Sequence, residues 1–390
     1  MQLQQLIQQK QNNNFVFSNI ALLLKSRAFY LFLILIFQVP LFIMKKIIGI
    51  VFIGLLGIGA YVGWNVFGGQ VKAPADKYLF IKTGATYDEV VNDLHQKGIA
   101  KSGFFFNKLM ERAKYKSNIK PGRYEIKNNT SLYSLIKMLK AGDQAPVRLV
   151  INKIRLKEDL AGKIGKTFEI DSLEAINFLN NKDSIAAYKL DDDKLLTAVI
   201  PNTYELNWNS SIKKIFSKLK NEEEKFWNGE RTEKAKAKNL TPLQVYIIAS
   251  IVEEETNKET DRPLVASVYS NRLQRGEKLQ ADPTVKFAMK DFALNRILFE
   301  HLKFPSPYNT YYTVGLPPGP ICTPSSKTID AVLNAPKTNY MFFVAKPDFG
   351  GYSNFAETYA QHQVFAKEYQ TALVEYLKKK KLKEQQSQIP

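Results

Sequence analysis

Tyr246-Ile247-Ile248-Ala249-Ser250-Ile251-Val252-Glu253-Glu254-Glu255-Thr256 is an apolar run that ends in three consecutive carboxylates. Its composition predicts a buried helix that turns acidic at its end. Thr241-Pro242 marks the start, a hydroxyl for the cap followed by proline at the first helical position, where a missing N–H costs nothing. On a helix, the residues one turn back from 255 are Ile251 and Val252, and two turns back lies Ile248. Glu255 therefore prolongs the apolar stripe. Glu254 has Ile251 and Ile247 behind it but also Ser250, and Glu253 sits above Ala249, Ser250 and Tyr246. Of the three, Glu255 has the most apolar surroundings.

A carboxyl against apolar walls is disfavoured in its charged form, so its pKa rises toward the range in which it can donate a proton near neutrality. Glu255 is on that ground a candidate general acid. Taken alone, an acidic cluster after an apolar helix is more often a solvated last turn or a salt-bridge face. The helix macrodipole, however, opposes carboxylates at a C-terminus, so three of them there ask for a reason.

Working outward, the chain has 390 residues, more than one average domain, and two or three units are expected. Its 55 Lys and Arg against 37 Asp and Glu give a net charge of +18, which favours contact with something anionic: nucleic acid, phospholipid head groups or an acidic polymer. The sole cysteine, Cys322, excludes an intramolecular disulfide. His95, His301 and His362 lie far apart without metal-ligand spacing, so no metal and no cofactor is expected.

From Ile47 to Phe67 the chain is apolar and uncharged, long enough to cross a bilayer core as a helix. Lys45-Lys46 stands directly before it, which by the positive-inside rule keeps the N-terminal side in the cytoplasm and sends the rest across. The run exceeds a signal-peptide core and is followed by only a weak cleavage site, which favours an uncleaved anchor over 44–70. A topology of this kind argues against nucleic acid as the partner. Upstream, residues 28–43 are also apolar but short and interrupted by Gln38 and Pro40. Met44 followed by two lysines reads as a natural start, which makes residues 1–43 an upstream extension of the reading frame.

After the anchor, Tyr78-Leu79-Phe80-Ile81 reads as a strand, and Thr86 with Glu89 opens a helix as a capping box. A second helix over 103–114, a turn and strand at Lys120-Pro121-Gly122-Arg123-Tyr124-Glu125-Ile126, and a helix capped by Ser131 complete a small α/β unit. It has no catalytic cluster and reads as a binding or spacer module. Val147–Ile151 is another strand; residues 153–240 alternate helical patterns and say little. Pro263 to Arg275 reads as a helix stopped by Gly276. Beyond it, Leu279-Gln280-Ala281-Asp282-Pro283-Thr284-Val285 reads as a proline-shaped turn. Two rigid loops follow, Ser306-Pro307-Tyr308-Asn309-Thr310-Tyr311 and Gly315-Leu316-Pro317-Pro318-Gly319-Pro320-Ile321. Tyrosine faces and amides on loops held by proline suit a sugar-binding groove, although each loop singly is ordinary turn chemistry. Residues 376–390, with their lysine run, read as a disordered basic tail.

Five segments in this order, Ala249–Thr256, Asn271-Arg272-Leu273, Leu279–Val285, Tyr308–Tyr311 and Gly315–Ile321, resemble the endolytic murein transglycosylase family, also called MltG or YceG-like. The Lys-Pro-Gly-Arg-Tyr segment is similar to that family's LysM-like subdomain. The resemblance implies an α+β protein with an N-terminal transmembrane helix, a small LysM-like α/β subdomain over 71–145 and a larger YceG-like catalytic domain over 146–375.

It further implies a lytic transglycosylase, a lyase cleaving nascent peptidoglycan glycan strands between MurNAc and GlcNAc to leave 1,6-anhydro-MurNAc ends and terminate elongation. Such an enzyme is expected in the bacterial inner membrane as a single-pass protein, its catalytic domain periplasmic or extracytoplasmic, with peptidoglycan and cell-wall synthases as partners. Glu255 aligns with the catalytic glutamate, and Glu253 is the second choice. Asn271, Gln280, Asp282, Thr284, Tyr308 and Asn309 align with the substrate groove, and Arg272 reads as an ion-pair partner. One departure stands out: Gly351-Tyr352-Ser353-Asn354-Phe355 carries serine where the family commonly has histidine, while His362 keeps its place. A non-catalytic, membrane-anchored peptidoglycan-binding scaffold is the alternative from another class.

Overall fold

A computed structural model of the chain describes Leu31 and residues 41–101, 103–227 and 229–386. The extension expected over 1–43 and the apolar stretch over 28–43 lie outside the described residues apart from Leu31 and 41–43, as does the end of the tail, 387–390. Contacts gather the chain into two compact units, one of residues 1–77, 91–118 and 126–140, the other of residues 78–90, 119–125 and 141–390. Residues 71–145 are thereby divided between both.

The first unit begins with the helix Leu41–Phe67, and most of its apolar side chains from Ile43 to Phe67 are exposed. Ile43–Phe67 has a mean hydropathy of 2.2 and is long enough to cross a membrane. Beyond it, the helices Phe104–Arg112 and Leu132–Ala141 bury Phe106, Met110, Leu135, Ile136 and Leu139. Ser131 accepts from the Ser134 N–H at 3.1 Å, capping the second of these as its position suggests.

The second unit mixes helices with three two-stranded antiparallel sheets. Tyr78–Ile81 pairs with Gly122–Glu125, Val147–Ile151 with Asn202–Leu206, and Phe342–Ala345 with Ser353–Ala356. Val147, Leu149 and Ile151 alternate inward and form one core with the helices Lys157–Thr167, Ser172–Asn180 and Ile212–Phe226. A second core surrounds the helix Pro242–Glu255 and includes residues of Arg262–Gln274 and Ser326–Leu333.

Three local expectations change. The segment expected as a turn at Leu279–Val285 becomes a helix at Asp282–Met289, because Pro283 falls in its first turn, where proline is tolerated. The strand Asn202–Leu206 was hidden in a featureless stretch, since only Tyr204 and Leu206 of its five residues turn inward. At the other end, the helix Tyr359–Gln386 continues through the lysine run that had read as a frayed tail.

Candidate active site at the end of the acidic helix

The site begins with how Pro242–Glu255 is fixed. Thr241 accepts from the Gln244 N–H and Gln244 accepts from the Thr241 N–H, a reciprocal cap, with Pro242 at the first position. Every residue from Val245 to Val252 is buried. Tyr246 donates its hydroxyl to the carbonyls of Leu196 and Val199, at 3.0 and 2.6 Å, which satisfies a buried O–H and ties the helix to the preceding core. Ser250 does the same on the other side: its hydroxyl accepts from the Ile321 N–H at 3.1 Å and donates to the Ile247 carbonyl. The proline-rich loop is thus pinned beside the helix's last turn.

The three consecutive carboxylates then point into three environments, as successive positions 100° apart must. Glu253 accepts from the hydroxyls of Ser325 and Thr328 and from the Ser325 N–H, capping the helix Ser326–Leu333 from outside. Glu254 takes a two-pronged pair of bonds from the Arg155 guanidinium at 3.0 and 2.8 Å, with Lys153 at 3.2 Å. Burial pushes the Glu254 carboxyl up, but the Arg155 hydrogen bonds and the two cations outweigh it and hold it below its usual value. Among the described residues, Glu255 has no cationic partner in hydrogen-bond contact. Its Oε1 accepts from the hydroxyl of buried Tyr269 at 2.7 Å. Burial raises the Glu255 carboxyl to about 7; the Tyr269 bond opposes the rise, and the negative charges of Asp282 and Glu254 add to it.

Two clefts meet at this carboxyl. One, of about 420 Å³, is bounded by Arg155, Glu254, Lys286, Phe292 and Arg296; the other, of about 300 Å³, by Tyr269, Arg272, Gln280, Phe342 and His362. Glu255 and Asp282 line both. Asp282 is exposed in the first turn of its helix and accepts from the Tyr311 hydroxyl at 2.7 Å. A chain laid along the two clefts passes a protonatable carboxyl and a second acid at their junction.

The model of the YceG-like family matches residues 79–368, a span that holds every residue of this site. The chain belongs to the YceG-like family. The YceG-like chain is 29% identical over 339 residues to a Streptococcus pneumoniae (serotype 2, strain D39) protein named endolytic murein transglycosylase, covering 76% of this chain and 60% of that one. A Bacillus subtilis (strain 168) protein of the same name is 26% identical over 331 residues, 79% of this chain and 90% of that protein. The chain therefore spans about 60% of the length of the streptococcal relative. The crystal structure of a putative yceG-like protein from Listeria monocytogenes aligns with 73% of this chain and 97% of its own at 23% identity and a TM-score of 0.49.

Of the residues singled out in the sequence of this YceG-like protein, Glu255, Asp282 and Gln280 converge on the clefts. Gln280 holds a left-handed backbone, φ +55°, and its side-chain oxygen accepts from Arg272 at 3.1 Å. Four others are engaged elsewhere. Thr284 and Asn309 are fully buried, Thr284 bonded to Ala281 and Thr310, Asn309 donating to the Leu302 and Phe304 carbonyls. Tyr308 donates to Asp193 at 2.8 Å and packs against Phe287, while Asn271 donates to the Thr338 and Tyr340 carbonyls. Arg272 donates to the carbonyls of Met341, Lys278 and Leu279, and among the described residues it has no carboxylate partner.

Ser353, at the departure from the family pattern, opens the strand Ser353–Ala356 and donates its N–H to Asp261 at 2.7 Å. His362 stacks on Phe342, with ring centroids 5.3 Å apart, and burial lowers its pKa. Sequence reading gave no role to Tyr269, Arg155 or Lys286. Tyr269 lies fourteen positions beyond Glu255 on another helix, and no local spacing announces such a contact. Tyr311, which bonds Asp282, stands inside the Tyr308–Tyr311 motif but was not among the residues singled out there.

Proposed function

We propose that this chain is a membrane-anchored endolytic murein transglycosylase, with Glu255 as its acid and base. The observation that carries the reading is a carboxyl with a pKa of about 7, held by Tyr269 where two clefts join. The names of the pneumococcal and B. subtilis relatives support the substrate class. Protonated Glu255 gives its proton to the glycosidic oxygen as the bond from that oxygen to the muramoyl C1 breaks. The same carboxylate then takes the proton of the muramoyl C6 hydroxyl as O6 bonds to C1. The product is a 1,6-anhydro end, no water is consumed, and Glu255 is protonated again. Asp282 places a negative charge beside the sugar carbon at which positive charge develops, with Gln280 on the second cleft positioning the glycan.

Openness on both sides of Glu255 suits cutting within a strand. Lys45 and Lys46 before the anchor support a cytoplasmic N-terminal end; the catalytic region would then face the wall, where a strand being released by a synthase would be cut and its elongation ended. The test is digestion of purified peptidoglycan by the full chain in detergent, with the Glu255→Gln protein beside it and mass spectrometry of the ends. Anhydro ends are expected from the wild type and a loss of roughly 10²–10⁴-fold in the variant. Reducing ends would make the protein a hydrolase. An intact polymer would leave a wall-binding scaffold.

A further inference from the structure

A cavity of about 730 Å³ lies at the other end of the acidic helix. Gln244 lines it, eleven residues before Glu255, which on a helix is about 16 Å away. Lys238, Arg275 and Lys337 line it as well, and among the described residues no Asp or Glu does. Arg275 and Lys337 are exposed. Lys238 is half-buried and donates to the Ala335 carbonyl at 2.7 Å, a neutral partner. None of the three forms an ion pair with a described residue, so the cavity wall carries three positive charges and no negative one among the described residues. Burial and the neighbouring Lys337 hold the Lys238 ammonium below its usual pKa, the response of a cation that lacks a counter-charge. Between the cations, Asn239, Gln274 and Asn339 add amides that both donate and accept.

Uncompensated like charges in a concave wall are unfavourable until an anion enters, and amides around them match peptide N–H and C=O groups. We propose that this cavity is a second, non-catalytic site that binds the carboxylate-bearing peptide stem of the wall polymer. The inference rests on the reading of peptidoglycan as substrate. It adds a grip on the peptide, about 16 Å from the carboxyl that cuts the glycan. Recognition would then favour strands that still carry acidic stems over bare glycan.

The test uses the full chain in detergent with Glu255→Gln, so that no cleavage disturbs the titration. The probes are a soluble disaccharide-tripeptide with free carboxylates, the same compound amidated, and inorganic phosphate. Hydrogen exchange over residues 335–341 should slow with the acid form, and its Kd should weaken at least tenfold in Lys337→Met and in Lys238→Met/Lys337→Met. Lys337 is exposed, so the single variant keeps the test independent of folding. Equal binding of the amidated probe, equal protection by phosphate, or unchanged affinity in Lys337→Met overturns the proposal. Failure of wild-type protein to cut peptidoglycan is a separate result, which removes the catalytic reading while leaving these binding measurements interpretable.

Discussion

The hydroxyl of Tyr269 donates to Oε1 of Glu255 at 2.7 Å. That bond leaves the other carboxylate oxygen, Oε2, to carry the exchangeable proton, and it lowers the pKa that burial has raised. In Tyr269→Phe the lowering is lost. The alkaline limb of the pH–rate profile should therefore move to higher pH than in the wild type, whose activity should fall as Glu255 ionises through about 7. An unshifted limb would detach Tyr269 from the titration of Glu255.

Stability should carry the same signature. The folded carboxyl at about 7 binds its proton more tightly than the ordinary 4.5 of the unfolded chain. Its contribution is fully present below 4.5 and is lost as pH rises to 7, to an extent of about 3 kcal/mol. Glu255→Gln keeps an oxygen for Tyr269 and never ionises. Its Tm should exceed that of the wild type at pH 8, and the gap should narrow as pH falls toward 4.5.

Glu253 and Glu255 separate by substitution. Glu253→Gln removes a carboxylate whose partners are Ser325, Thr328 and, at 3.8 Å, Arg262. A cost of about 1–3 kcal/mol in stability is expected, with turnover at permissive temperature within a few-fold of wild type. A loss of the size expected for Glu255→Gln would transfer the acid role to Glu253.

Removing the guanidinium in Arg155→Met leaves Glu254 with Lys153 alone. Denaturant unfolding should show a loss of about 1–3 kcal/mol, less than for a fully buried pair because Arg155 is partly exposed. Less of the Glu254 charge is then balanced beside Glu255, so the alkaline limb of activity should again move up.

Gly319 allows an approach of two segments of the chain that a side chain would block. A Cβ there would lie 1.9 Å from the Asp193 carbonyl oxygen. Gly319→Ala must displace backbone and should lower stability by more than about 2 kcal/mol, read as a fall in Tm.

The helix and its acidic end were legible because three independent cues agree there: the Thr241-Pro242 start, the apolar run, and the stripe that ends on Glu255. What escaped was the contact with Tyr269, since a hydrogen bond between two helices leaves no periodic trace in either. Residues of the loop motifs could be listed but not sorted. Asp282 opens onto the clefts, whereas Thr284, two positions on, is fully buried against Thr310. A helix that starts at Asp282 turns the two side chains in different directions, and the sequence had read as a turn. The strand at Asn202–Leu206 shows the same limit, with too few inward residues to set a period.

The three adjacent glutamates have separate duties only because each stands at its own angle from one well-fixed start. Deleting or inserting a single residue between Thr241 and Glu253 would rotate the whole triplet by about 100°. The carboxyl now facing the clefts would meet Arg155 or Ser325 instead, and a neighbour would take its place in the wrong setting. Substitutions along this helix can be judged one at a time, but its length is a single indivisible specification, and related chains that keep the chemistry should show no gaps across it.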